Sequence, residues 1–178
     1  SVTDQTDYRL MASIAAAAAS AVTPEQAAIW SYPLREGDRE EVVMNMVNSL
    51  LLRVHQSGHL AELSEERFEL VQEGIALYKS FRQQIPHLEP FWPLGMPSFA
   101  SPWLAFGLHN DSEAWLAVWR MESEQSSITL PLGGVTQASC VYPHFAKVLC
   151  QPTINKHELM ISLPEKLTAR LFHLTFAH

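Results

Sequence analysis

Apolar residues recur every three or four positions up to about residue 85, then alternate or cluster in short runs beyond Pro97. The first period predicts three helices. One starts after Asp7, which stands as its N-cap, with Leu10, Met11 and Ile14 on one face. Asp38 caps a second. Its Glu40 and Glu41 sit at the positive end of the helix dipole, and Val42, Val43, Met46, Val47, Leu50 and Leu51 form a buried stripe. Ser64 caps a third, with Phe68, Val71, Ile75 and Tyr78 facing inward and Lys79 and Arg82 complementing its C-terminal end. Two short extended pieces lie between them. Ala21-Val22-Thr23 leads into a loop over Pro24–Leu34, and Arg53–Gln56 leads into Ser57-Gly58. Helix, strand, helix, strand, helix is the cadence of a parallel barrel or sheet.

After Pro97 the stretches Trp103–Leu108, Ala114–Trp119, Ser127–Leu132, Ala138–Tyr142, Lys147–Gln151, Glu158–Leu163 and Thr168–Phe176 read as strands. Asn110-Asp111, Gly133-Gly134 and Asn155-Lys156 punctuate them. About seven strands without an intervening helix predict an antiparallel β-sandwich. The proline-rich joint over Pro86–Pro97 separates the two halves. The fold class expected is therefore α+β.

Composition narrows the classes. The longest apolar run, Ile14–Ala19, is too short to span a membrane. The residues before it carry Asp4 and Asp7 in place of a basic n-region, so it is not read as a signal peptide. A formal charge of −7 without a basic stripe argues against a nucleic-acid partner. Cys140 and Cys150 lack CxxC spacing and fall in expected strands, which favours a buried thiol pair over a metal site and leaves a disulfide open. His55 and His59 flank Ser57-Gly58, which breaks the helix a metal pair would need, so no metal and no cofactor are expected. Trp115 and Trp119 lie in an apolar strand run and read as core. A cytoplasmic location is the expectation.

Several stretches together carry a resemblance. They are Thr3-Asp4-Gln5-Thr6-Asp7, Pro24-Glu25-Gln26-Ala27-Ala28-Ile29-Trp30-Ser31-Tyr32-Pro33-Leu34, His55 through Leu63, and Phe91-Trp92-Pro93-Leu94-Gly95. In register, they resemble the last third of α-galactosidases of glycoside hydrolase family 36, the melibiase and raffinose-cleaving group. The resemblance implies the last βα units of a (β/α)8 TIM barrel over residues 1–88, then a C-terminal β-sandwich over residues 89–178. It implies a retaining hydrolase acting on terminal α-D-galactosyl residues of oligosaccharides such as melibiose or raffinose. The family's nucleophile, in a Lys-x-Asp strand end, and its sugar-binding Cys-x-x-Gly motif are absent here, which places them upstream and leaves this chain inactive alone. The alternative class is a non-catalytic carbohydrate-binding or structural sandwich module.

A retaining glycosidase needs two carboxyl groups roughly 5–5.5 Å apart. On residues alone, Asp4 and Asp7 read as helix caps. With the resemblance, Asp4 takes the position of the general acid/base and Asp7 keeps the cap. Pro24–Leu34 would lie at the C-terminal end of a barrel strand, where such barrels place their sites. Glu25, Gln26, Trp30 and Tyr32 are then candidates to face sugar. An amide at Gln26 would bridge hydroxyls, Trp30 is open between stacking on sugar and packing, and Tyr32 leans to packing. A partial barrel would leave open strand edges and apolar helix faces. The helical half is thus expected to self-associate into a homo-oligomer, in preference to leaning on the sandwich, which can bury only one side of the helices.

Overall fold

Each helix begins where a polar side chain takes up a free backbone N–H. A computed structural model describes residues 7–31, 38–56 and 60–177. In α1 (Tyr8–Ala18) the Asp7 carboxylate accepts from the Arg9 N–H at 3.0 Å. In α2 (Arg39–Leu50) Asp38 accepts from the Glu41 N–H at 2.9 Å. In α3 (Glu65–Phe81) Ser64 accepts from the Arg67 N–H at 3.4 Å. All three caps lie where the sequence places them.

The buried faces differ from the expected stripes. On α1 the buried residues are Met11, Ala12, Ser13, Ala15 and Ala16, while Leu10 is 40% exposed. The alanines let α1 approach α2 and the sheet closely, which turns the bulkier Leu10 outward. On α3 Arg67, Leu70, Val71, Gly74 and Phe81 are buried, and Phe68 faces outward. The ion pair of Arg67 with Glu41 sets that rotation, and Gly74 permits it. A Cβ at position 74 would lie 2.8 Å from Met46 Cε. The α2 helix is buried on every side from Glu41 to Leu50, because α1, α3 and strands surround it.

The loop expected over Pro24–Leu34 contains a strand. A short 3-10 turn at Pro24–Gln26 is followed by β1 (Ala28–Ser31), and Ala21–Thr23 is a turn rather than an extended piece. The β1 strand pairs in parallel with β2 (Arg53–Gln56), with Ala28 opposite Arg53 and Ser31 opposite Gln56. Burial of Ile29 and the Arg53 N–H bond to the Ala27 carbonyl at 3.1 Å draw the segment into that pair.

The second half contains β3 (Glu89–Phe91), β4 (Trp103–His109), β5 (Glu113–Arg120), β6 (Ser127–Leu130), β7 (Val135–Tyr142), β8 (Thr153–Ile154), β9 (Leu159–Ser162) and β10 (Thr168–Phe176). They form an antiparallel five-stranded sheet of order β3-β4-β5-β10-β7 and an antiparallel three-stranded sheet of order β6-β9-β8. The short β3 and β8 were not expected. Lys147–Gln151, expected as a strand, is turn instead. There the Cys150 N–H bonds back to the Ala146 carbonyl at 2.9 Å, Val148 is 86% exposed and Leu149 is 73% exposed. Cys150 therefore does not lie on a strand, although both cysteines are buried and free.

The five-stranded sheet is the middle layer. One face, with Leu116, Val118, Phe172 and Leu174, packs on Leu130, Leu159 and Ile161 of the small sheet. The other, with Leu104, Phe106, Ala117, Trp119 and Leu171, packs on the helices. The helical half thus leans on the sandwich, the less favoured of the two expectations from sequence. Directed bonds tie this seam. Trp119 Nε1 donates to Asn48 Oδ1 at 2.8 Å, Tyr142 Oη to the Leu70 carbonyl at 2.8 Å, and Trp92 Nε1 to the Ala16 carbonyl at 2.7 Å.

Gly107 of β4 lies opposite Phe91 of the antiparallel β3. A Cβ there would meet the Phe91 ring at 2.3 Å and the Trp115 carbonyl oxygen at 2.9 Å. Gly107→Ala is expected to cost about 1–3 kcal/mol in urea unfolding, since the second contact is backbone and cannot swing aside. The seam also predicts alkaline behaviour. Burial pushes the Cys140 thiol from 9.0 up to about 12, with Cys150 adding to the rise. Burial likewise raises the Tyr142 hydroxyl, with Glu73 acting the same way. Both groups hold their protons more tightly folded than unfolded. Their stabilising effect is complete below the unfolded values and is lost as pH rises through the folded ones. The urea midpoint should stay level up to about pH 9 and fall from there towards pH 12. A midpoint that rises across that interval would contradict it.

Candidate active-site edge

The helix N-termini meet at one edge of the molecule. Glu41 in the first turn of α2 pairs with Arg67 in the first turn of α3 at 3.3 Å, and both side chains are buried. Asn45 Nδ2 donates to Glu41 Oε1 at 2.6 Å and holds that carboxylate from its own helix. Glu40 accepts two bonds from the Arg170 guanidinium, at 2.7 and 3.0 Å. Burial opposes the Arg170 charge, and the paired Glu40 outweighs it, so its pKa lies above the usual range. Asp7, at the head of α1, lines a groove of about 400 Å³ with Ser101, Met121, Glu122 and Leu167. Leu167 is three residues before Arg170, so the heads of α1 and α2 both face the start of β10.

The strands deliver the chain to the same edge. The β1 strand runs into residues 32–37 and then α2, and β2 runs into residues 57–59, a turn at Leu60–Glu62 and α3. Strand C-terminal ends and helix N-terminal ends therefore share this edge, the geometry that barrels and open parallel sheets use for ligands. The carboxylates described here are engaged in the fold. Asp7 and Asp38 cap helices, while Glu40 and Glu41 pair with arginines.

Asp4 lies outside the described residues, three positions before the Asp7 cap. Trp30 is the third residue of β1, opposite His55 of β2 and towards the strand's C-terminal end, and its side chain lies outside the described residues. Gln26 is exposed at the other end of β1. It lines a separate groove of about 500 Å³ with Pro86, Leu88, Glu89 and Pro90. The segment expected as one loop over both residues contains β1, so Gln26 precedes the strand and Trp30 lies on it. Glu25, beside it, accepts a bond from Thr23 Oγ1 at 2.7 Å. Tyr32 and His59 lie outside the described residues. Among the described residues, no cluster of three or more His, Cys, Asp or Glu side chains could hold a metal. Sequence reasoning missed the two ion pairs. Glu40 and Glu41 read as partners of the helix dipole, and their arginines lie 130 and 26 residues away.

No family model matches the chain, and no curated protein does. Solved structures match. The galactosidase domain of an alpha-galactosidase-sucrose kinase aligns with 98% of this chain at a TM-score of 0.68 and 17% identity. The fold is that of the C-terminal portion of family 36 α-galactosidases. The family 36 α-galactosidase of Geobacillus stearothermophilus, solved with stachyose, aligns with 85% of the chain at a TM-score of 0.57 and 15% identity. The α-galactosidase of Lactobacillus brevis aligns with 84% at a TM-score of 0.55 and 11% identity. The chain spans 25%, 22% and 22% of these three structures respectively.

Glu41 is the pivot of the edge. Glu41→Ala would remove the carboxylate that pairs with the buried Arg67 guanidinium and one of the acceptors of the Asn45 amide. A loss of about 3–5 kcal/mol is expected, read as a lowered midpoint in urea, with Glu41→Gln costing less than Glu41→Ala. Equal and negligible losses would show that the pair does not hold α2 to α3.

Proposed function

We propose that this chain is the C-terminal part of a retaining α-galactosidase, with residues 1–88 closing a (β/α)8 barrel and residues 89–178 forming its terminal sandwich. The observation that carries the proposal is the match of 98% of the chain to a galactosidase domain. It is joined by the edge at which parallel strand ends meet helix heads, which holds Asp7, the last residue of the Thr3-Asp4-Gln5-Thr6-Asp7 stretch. The substrate is a terminal α-D-galactosyl residue on an oligosaccharide of the melibiose or raffinose type. Asp4 donates its carboxyl proton to the glycosidic oxygen as the bond breaks. A second carboxylate, from the part of the enzyme this chain does not contain, attacks the anomeric carbon. Asp4 then takes a proton from the water that releases the sugar. Trp30 is assigned to the sugar's apolar face. Gln26, at the far end of β1, is not needed in this scheme. A cytoplasmic, homo-oligomeric enzyme is part of the same proposal.

The rival reading, a carbohydrate-binding sandwich, needs aromatic faces turned to solvent. Trp103 and Trp119 are buried, and Trp115 stacks on Phe81 with ring centroids 4.4 Å apart. These tryptophans pack in the core, which favours the enzyme piece.

The isolated chain is expected to leave a nitrophenyl α-galactoside unhydrolysed, because a lone acid/base has no nucleophile with which to form the covalent intermediate. In the complete enzyme, Asp4→Asn should slow raffinose hydrolysis by about 10²–10⁴-fold and affect activated aryl galactosides less. Turnover by the purified 178-residue chain would overturn the fragment reading.

A further inference from the structure

Cys140 and Cys150 are both buried in the core between the two sheets. In β7, Cys140 shares the inter-sheet core with Ala138 and stands opposite Phe172 of β10. Arg170, two positions before Phe172 on β10, presents its side chain on the same face by strand alternation. After Tyr142 the chain leaves β7, turns through His144–Ala146 and comes back. The return is pinned by the Cys150 N–H to the Ala146 carbonyl at 2.9 Å and by Gln151 Nε2 to the Ala138 carbonyl at 2.8 Å. Cys150 thereby enters the same core cluster as Cys140, and it lines a cavity of about 130 Å³ with Arg170. The two thiols stand at the two feet of a single loop.

That loop joins the layers. Phe145, on it, lies beneath the Arg39 guanidinium at 4.2 Å and the Arg170 guanidinium at 5.6 Å. The His144 N–H donates to Glu73 Oε1 of α3 at 2.9 Å. Whatever stiffens the feet of the loop stiffens the contact between helices and sheet.

We propose that Cys140 and Cys150 are a redox couple that closes an intrachain disulfide and staples this loop. The oxidant is a low-molecular-weight disulfide such as oxidised glutathione, so in a cytoplasm with a reduced glutathione pool the couple rests as two thiols and closes only when that pool is oxidised. One protein thiolate attacks a glutathione sulfur, forming a mixed disulfide and releasing one glutathione thiol. The second protein thiolate displaces the remaining glutathione. The chain loses two electrons and two protons, and the glutathione disulfide is reduced to two thiols. Burial of both sulfurs, and the high pKa of Cys140, slow the first attack in the closed fold. The bridge forms as the loop opens or as the chain folds.

The test is to refold the full chain from urea in a glutathione redox buffer at pH 8, beside a native sample held in the same buffer. Intact mass and peptide mapping should show a chain lighter by two hydrogens, carrying a 140–150 link and no glutathione, from either route. Its Tm should exceed that of the reduced chain by about 5–10 °C, since a loop of this length is closed in the unfolded state. Dithiothreitol should abolish the shift, and so should Cys140→Ala or Cys150→Ala. Two free thiols, two glutathione adducts or cross-linked dimers after oxidative refolding would overturn the proposal. A bridged chain with an unchanged or lower Tm would overturn it equally.

Discussion

The seam between α2 and the five-stranded sheet is the constraint on which the rest of the structure depends. A sheet with apolar side chains on both faces must be covered twice, and the small sheet covers only one face. The α2 helix covers the other and is itself covered by α1 and α3. Trp119 alone withdraws on the order of 150–250 Å² from water. At about 25 cal/mol per Å² this contributes about 4–6 kcal/mol as an upper estimate. Asn48 and the Leu70 carbonyl then fix where the buried Trp119 and Tyr142 point, because an unpaired N–H or O–H in that seam would cost about 1–3 kcal/mol.

Fixing the seam also fixes the edge where β1 and β2 end. Two four-residue parallel strands are too few to stand alone. They keep their register because Ile29 and the surrounding α2 residues share one core with the sheet. The part-buried pair Glu40–Arg170 and the buried pair Glu41–Arg67 set the heads of α2 and α3 against β10 and against each other. A buried ion pair is weak evidence of stability, since desolvation offsets much of its attraction, but it is sensitive to register. Here each pair orients one helix head towards the edge where β1 and β2 end. Such an edge, with helix N-termini facing it, favours negative charge and carboxylate chemistry.

The loop over residues 143–149 is the second clasp on that arrangement. It reaches α2 through Phe145 and α3 through His144, so the sandwich is held to the helices from β7 as well as from β5 and β10. Its tip, Val148 and Leu149, is exposed while its feet are buried. Rigidity in the loop therefore comes from its base.

Local chemistry was legible in the sequence: the caps Asp7, Asp38 and Ser64, the turns at Asn110 and Gly133-Gly134, and the switch from helical to alternating period. These depend on residues within one turn of each other. The resemblance around Thr3–Asp7 and Pro24–Leu34 named a family whose fold the chain shares. The rotation of α1 and α3, β1 inside an expected loop, and the turn in place of a strand at Lys147–Gln151 were decided by the tertiary structure. Each rests on a partner distant in sequence: Arg53 for Ala27, Glu41 for Arg67, Ala138 for Gln151. A short apolar segment has nearly equal intrinsic preference for several conformations. A single long-range bond or buried contact outweighs that difference, so only the assembled core selects among them.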